Sequence, residues 1–138
     1  PEIAARFEGM GSIRDIARDD RPTLLNFDRA SPDWVDWRVW FQRKSFADFD
    51  QWPTATLSTY SQTIGDAIKG RGIALGSIRL LGVELSSGSL KRIGNEVLTS
   101  GRGYHVSHSE RFGLTDGARN LVEFLVAAAR REDADLWA

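Results

Sequence analysis

Hydrophobic and polar positions between residues 54 and 76 follow the pattern of a strand, a helix and a second strand. Residues 54–57 alternate threonine with an apolar residue, which is typical of a short strand. Apolar side chains then recur at helical spacing from Tyr60 to Ile68, and Gly70 follows where a left-handed residue commonly ends a helix. Residues 73–75 are wholly apolar, as in a strand buried on both faces. This order predicts a β-α-β unit and therefore an α/β fold with a parallel sheet.

Ser58 and Thr59 lie at the junction between the first of these strands and the helix. Thr59 is placed to cap the helix, and Gln62 follows three residues later as in a capping box. In open α/β sheets ligands collect at the carboxyl ends of strands, where helix N-termini offer N–H groups and partial positive charge. Two interpretations stay open: the two hydroxyls contact a ligand, or Thr59 only caps the helix and Ser58 is solvated.

The N-terminal part of the chain predicts shorter elements. Apolar residues fall at helical spacing within residues 1–10, Ser12 begins a short helix over residues 13–18, and residues 23–27 form a strand. A helix over residues 34–43 carries an aromatic stripe formed by Trp34, Trp37, Trp40 and Phe41. Such a stripe is usually core or interface, and the alternative is recognition of an aromatic or cationic ligand. Residues 44–53 have aromatic side chains without a clear period, which favours a packed loop.

The C-terminal part predicts two helices and two brief strands. Ser77 caps a helix that ends at Gly88, and its buried face consists of Leu80, Leu81 and Leu85. Residues 91–93 and 104–107 are predicted strands. A long helix begins at Thr115 or Asp116 and continues to about residue 131. Its apolar face comprises Ala118, Leu121, Val122, Phe124, Leu125, Ala128 and Ala129.

Composition narrows the possible classes of protein. The 138 residues suit one domain with a modest core. Lysine and arginine number 18 against 19 aspartates and glutamates, and a net charge of −1 argues against this chain being a nucleic-acid contact surface. No cysteine is present, which excludes disulfides and thiolate chemistry, and no apolar run approaches the roughly 18 residues of a membrane span. No signal peptide is visible, and a start at Pro1 without methionine suggests a piece of a longer protein.

Catalytic patterns are sparse. His105 and His108 lie on or just after a predicted strand, whose alternation points them to opposite faces and makes a shared metal unfavourable. Asp19 and Asp20 lie in a turn without a histidine or cysteine nearby. The glycines at 70 and 72 lack the third glycine of a dinucleotide loop. The residues therefore predict an α/β domain with no catalytic site, metal or cofactor.

Several segments occur in an order that matches one family. They are SIRDIAR (12–18) before TLLNFD (23–28), DWRVWF (36–41) with its W-x-x-W-F pattern, LSTYSQTIGDAIKGRGIALG (57–76), VELSSGSL (83–90), and GYHV (103–106) before a helix containing FL (124–125). In this order they resemble the effector-binding domain of LysR-type transcriptional regulators, in the branch that contains the glycine-cleavage and β-lactamase activators. The resemblance covers about residues 1–131; residues 44–53 fit it less well, and Leu57 stands where phenylalanine is commoner.

The resemblance implies a truncated, two-lobed domain like a type 2 periplasmic binding protein, with a parallel-rich sheet flanked by helices. Residues 1–98 would form the second lobe without its first strand. Residues 99–138 would supply the crossover and the C-terminal strand and helix of the first lobe. A small effector, expected to bear a carboxylate, would bind between the lobes, where Ser58 and Thr59 face the cleft and Tyr104 lines it from the crossover side.

The same resemblance implies a bacterial, cytoplasmic transcription regulator that is not an enzyme. It would contact DNA only through an N-terminal winged helix-turn-helix absent from these residues, and would assemble as a homodimer or homotetramer without a membrane partner. The competing classes are a periplasmic solute-binding protein and a small α/β enzyme of the same architecture. A signal peptide in the parent reading frame would favour the first, a helix-turn-helix would favour the regulator, and an enzyme would need a clustered acid, base or metal set.

Overall fold

The computed structural model describes residues 2–28, 35–99, 106–109, 111 and 113–135. The chain divides into two compact units, Pro1–Leu98 and Thr99–Ala138. In the described part of the first unit the helices are α1 (Glu2–Arg6), α2 (Trp37–Arg43), α3 (Tyr60–Ile68) and α4 (Gly82–Ser86), and the strands are β1 (Leu24–Phe27), β2 (Thr54–Leu57) and β3 (Ile73–Ala74). The described part of the second unit contains α5 (Asp116–Asp135). None of the helices in the described ranges is long and apolar enough to cross a membrane.

The three strands form one parallel sheet in the order β2-β1-β3. Leu24 is opposite Thr54 on one side and Ile73 on the other. The predicted parallel sheet and α/β class are confirmed, and β1 lies between the two strands of the predicted β-α-β unit. This central strand is the most buried, with Leu24 at 0% and Leu25 at 4% exposure. Its central position explains why the successive residues Leu24 and Leu25 are both buried.

Helix α3 begins and ends where the sequence predicts. Thr59 is the N-cap, and its Oγ1 accepts a hydrogen bond from the Gln62 backbone N–H at 3.2 Å. Gly70 has a φ of +73°, a left-handed conformation that glycine adopts without a Cβ clash, and the chain turns there toward β3. Ile64 on the inner face is buried.

An aromatic core lies beside the sheet, as the stripe predicts. The Asp36 carboxylate caps α2 by accepting from the Val39 N–H at 2.7 Å. Trp37, Trp40 and Phe41 are buried. Neighbouring rings from residues 44–53 complete the cluster with edge-to-face contacts at centroid distances of 5.4–5.8 Å; they are Phe46, Phe49 and Trp52. The packed-loop prediction is thus confirmed, and Trp34 lies outside the described residues.

Three predicted elements of the first unit are corrected by the structure. The helix expected over residues 13–18 is two single 3-10 turns, Ile13–Asp15 and Arg18–Asp20. The helix expected from Ser77 begins only at Gly82, because the Ser77 carbonyl closes an isolated turn with Leu80 and Leu81. Leu80 is consequently 47% exposed rather than buried. Residues 91–93 form no strand; Ile93 packs against the aromatic core instead of pairing with the sheet.

The second unit retains the long helix. Thr115 Oγ1 accepts from the Ala118 N–H at 3.3 Å, so the predicted cap is correct, and α5 continues four residues past the predicted end to Asp135. Leu121 and Phe124 on its apolar face are exposed by 57% and 67%. Residues 106–109 have no regular secondary structure, which corrects the predicted strand over its last two residues. Tyr104 and His105 lie outside the described residues, and the described His108 is exposed.

Candidate functional site

Two of the three predicted site residues lie at the edge of the sheet where the parallel strands have their carboxyl ends. Ser58 and Thr59 follow β2 directly. The Asp28 N–H after β1 donates to the Leu57 carbonyl at 2.6 Å, which holds the ends of β1 and β2 together. Ser77 follows β3 by a short loop. Such an edge is where α/β proteins place their ligand-binding groups.

Ser58 and Thr59 are both exposed at this edge. Thr59 Oγ1 accepts the Gln62 N–H, so Thr59 does cap α3. A hydroxyl has one donor and two acceptor positions, and the cap leaves the Thr59 O–H able to donate. The Ser58 hydroxyl makes no hydrogen bond to another described residue, so its donor and acceptor positions are open to a ligand.

A buried polar contact fixes the beginning of α3 on the central strand. Thr63 is 1% exposed, and its hydroxyl donates to the Thr59 carbonyl at 3.0 Å, with the Asn26 carbonyl at 3.4 Å. The Asn26 side-chain oxygen in turn accepts the Trp37 N–H at 3.2 Å. The starts of α2 and α3 are therefore both tied to β1 at Asn26. Sequence reasoning missed this link; its only signal was a threonine four residues after a threonine cap.

Tyr60 and Phe27 form an aromatic wall at the same edge. Their rings meet edge to face at 5.7 Å, and both are partly exposed. The Tyr60 hydroxyl accepts the Ser77 N–H at 3.2 Å, which ties the loop after β3 to the first turn of α3. A Cβ added at Gly76 would lie 2.4 Å from Leu81 Cδ1, so that loop packs closely there. The edge thus combines two exposed hydroxyls with a fixed apolar surface.

The charge at this edge is modest. Asp28 is exposed, so solvent screens its carboxylate from a ligand near Ser58. The first turn of α3 contributes partial positive charge on the other side. Tyr104, the third predicted site residue, lies outside the described residues, so the structure brings together Ser58 and Thr59 alone.

Two other features lie away from this edge. A concavity of about 380 Å³ adjoins α1 and the two 3-10 turns, and the Arg6–Asp20 ion pair of 3.0 Å lies on its rim. Its lining residues are Arg6, Phe7, Met10, Asp15, Ile16, Ala17 and Asp20. Within the described ranges, no three histidine, cysteine, aspartate or glutamate residues cluster in a way that could hold a metal ion.

Comparison of the chain with protein-family models, with curated proteins and with solved structures found no match.

Proposed function

We propose that this chain is the effector-sensing part of a bacterial LysR-type transcriptional regulator, and that it binds a small carboxylate-bearing ligand beside Ser58 and Thr59. The observation that carries the proposal is the position of these two exposed hydroxyls at the carboxyl edge of a parallel sheet, directly before α3. The order of the segments quoted above supports the same family. In this proposal the fold is a truncated type 2 periplasmic-binding-protein-like domain.

The chemistry of the edge suits an anionic group. Ser58 and Thr59 hydroxyls can each donate to a carboxylate oxygen, and the N-terminal turn of α3 adds favourable dipole. Because Thr63 anchors that turn to β1, the donors are held in place before a ligand arrives. The Phe27–Tyr60 wall provides an apolar surface next to the donors.

Ligand binding would act on DNA at a distance. Residues 1–98 would be one lobe, Tyr104 and the C-terminal segment would contribute to the other, and a ligand between them would favour the closed arrangement. Closure would change the geometry of a cytoplasmic dimer or tetramer and re-space its winged helix-turn-helix domains. A net charge of −1 fits a sensing part that leaves DNA contact to another domain.

A thermal-shift screen tests the site. Small carboxylates, amino acids and cell-wall peptides are added to the chain, and a ligand at 100 times its Kd should stabilise the fold by about 2.7 kcal/mol. The Ser58→Ala, Thr59→Ala double variant should lose that ligand-induced shift. The stability of this variant without ligand should also fall by about 1 kcal/mol because the helix cap is removed. The quantity to compare is therefore the change in melting temperature that the ligand causes in each variant.

The matched control is Ser86→Ala with Ser87→Ala, two exposed hydroxyls on and after α4. This variant should keep the full ligand-induced shift. A shift that survives in the Ser58→Ala, Thr59→Ala variant would remove the junction from the site. A signal peptide in place of a helix-turn-helix upstream in the parent reading frame would favour a solute-binding protein.

A further inference from the structure

The concavity beside α1 and the two 3-10 turns has the size of a small-molecule site. Its volume is about 380 Å³, and binding pockets for small ligands measure roughly 300–1,000 Å³. Phe7 and Ile16 are 6% and 2% exposed and form its base, and the half-buried Met10 also lines it. The concavity is open to solvent at its rim, where Arg6, Asp15 and Asp20 are exposed. A ligand can therefore reach an apolar base past a charged rim.

The charged lining leaves one carboxylate without a partner. Arg6 Nη2 donates to Asp20 Oδ1 at 3.0 Å, and the Arg6 guanidinium carbon lies 5.4 Å from the centre of the Phe7 ring. The Asp15 carboxylate forms no hydrogen bond or ion pair with another described residue. Two carboxylates against one guanidinium thus give the lining one net negative charge.

The neighbouring arginines do not cancel this charge inside the concavity. Arg14 and Arg18 are next to it in the chain but do not line it. The Arg14 guanidinium carbon lies 4.7 Å from the centre of the Phe46 ring, which holds this cation on the aromatic core instead. The lining consequently favours a cation over an anion.

The side chains of the lining also define the kind of cation. A carboxylate only accepts hydrogen bonds, whereas an ammonium group has three donors and no acceptor. The thioether of Met10 is flexible and makes favourable contacts with aromatic rings. An ammonium group attached to an apolar body of modest size therefore matches both the rim and the base.

We propose that this concavity binds a small primary amine with an apolar body. Its ammonium group donates to the Asp15 carboxylate, and its body lies against Met10 and Phe7. The site is independent of the effector proposal, since it uses neither Ser58 nor Thr59. Solvent screens the exposed carboxylate, so the affinity is weak and the contact with the apolar base contributes a large share of it.

The test uses Met10, the single methionine of the chain, as a reporter. In protein labelled with ¹³C-methyl-methionine, titration with benzylammonium at constant ionic strength should shift the Met10 methyl resonance to saturation. Benzyl alcohol has nearly the same shape without the charge, and its affinity should be about fivefold lower, as expected for one lost exposed ion pair. This comparison needs only the wild-type protein, so it stands even if a variant fails to fold.

Two matched variants then locate the charge. Asp15→Asn should lower the benzylammonium affinity about fivefold and leave the benzyl alcohol affinity unchanged. Asp19→Asn makes the same change of charge on an exposed residue that does not line the concavity, and it should leave both affinities unchanged. Arg6→Gln should act in the opposite direction and raise the benzylammonium affinity, because it frees the Asp20 carboxylate.

Three outcomes would overturn the proposal. The first is a Met10 methyl resonance that shows no saturable shift with benzylammonium. The second is an equal affinity for benzylammonium and benzyl alcohol, which would show that the carboxylate contributes nothing. The third is an equal loss of affinity in Asp15→Asn and Asp19→Asn, which would show a general attraction between the protein and cations.

Discussion

Trp37→Ala should lower the free energy of unfolding by about 3–5 kcal/mol, the range for an emptied aromatic core position. Trp37 is 4% exposed and lies on the side of the aromatic core that faces β1. Its ring meets Trp40 at 5.5 Å and Phe41 at 6.2 Å, edge to face in both cases. The alanine variant loses these contacts and leaves a cavity next to the central strand.

The structure divides this loss into two parts. A buried aromatic ring covers roughly 150–250 Å², which at about 25 cal/mol per Å² corresponds to roughly 4–6 kcal/mol before alanine's own contribution is subtracted. The indole N–H donates to the Leu25 carbonyl at 3.2 Å, a bond that contributes about 1 kcal/mol. Trp37→Phe keeps most of the ring and loses this bond, so it should cost only about 1–2 kcal/mol.

Urea denaturation followed by far-UV circular dichroism measures both variants without relying on the fluorescence of the residue removed. The dependence of the free energy of unfolding on urea concentration should stay unchanged if unfolding exposes the same surface area in each variant. Val83→Ala is the control, because Val83 is 76% exposed and its loss should change the stability by less than about 0.5 kcal/mol.

Two outcomes would refute the reasoning. A loss below about 1 kcal/mol in Trp37→Ala would place the ring outside the core. An equal loss in Trp37→Phe and Trp37→Ala would mean that the hydrogen bond, and not the packing, carries the effect.

The remaining predictions concern close packing and one buried hydroxyl, and each is checked by thermal denaturation. Gly72→Ala should destabilise by about 1–3 kcal/mol or more, because its Cβ would lie 2.4 Å from the Thr23 carbonyl oxygen. In α3 a Cβ added at Gly65 meets nothing within 4 Å, so Gly65→Ala should stabilise the protein by about 0.5–1 kcal/mol. Stability changes of the same sign in Gly72→Ala and Gly65→Ala would contradict this account. Thr63→Val should cost about 1–2 kcal/mol through the lost bond to the Thr59 carbonyl, and a neutral result would show that this bond does not anchor α3.

The elements that the sequence predicts well are those whose signals are local. Side-chain alternation predicts the strand Thr54–Leu57, and one hydroxyl predicts the cap at Thr59. The left-handed backbone of Gly70 predicts the turn that follows α3. The aromatic stripe also predicts its own burial, because large aromatic side chains at helical spacing usually pack into a core, and Trp37 and Trp40 are buried in one cluster. The same locality allows Ser58 and Thr59 to be placed at the sheet edge.

The elements that the sequence predicts poorly depend on distant partners. Residues 91–93 have an apolar side chain and strand-like spacing, yet Ile93 packs on the core cluster and Lys91 reaches Glu8 at 3.5 Å. The start of α4 is delayed by the turn at Ser77, whose N–H is held by the Tyr60 hydroxyl. These contacts join residues far apart in the chain and do not affect the local pattern of apolar and polar residues. The pattern therefore predicts a strand at residues 91–93 and too early a start for α4.

Within the candidate site, the unforeseen part is the support beneath the two hydroxyls. The link from Thr63 through Asn26 to Trp37 joins three elements, and none of its members stands out by residue type. The contact between Arg21, whose guanidinium carbon lies 4.7 Å from the centre of the Trp52 ring, and Trp52 is missed by sequence reasoning for the same reason. Its residues are far apart along the chain and meet only once β1 and β2 are paired.

A central strand that precedes both of its neighbours in the chain has a consequence for protein synthesis. Leu24 and Leu25, almost wholly buried in the finished sheet, emerge from the ribosome before Thr54 and Ile73 do. Parallel pairing must await these distant segments, so the two leucines remain accessible to chaperones and to other nascent chains in the meantime. A chain that stops before Ile73 would keep an open edge on β1 and should be retained by chaperones or aggregate.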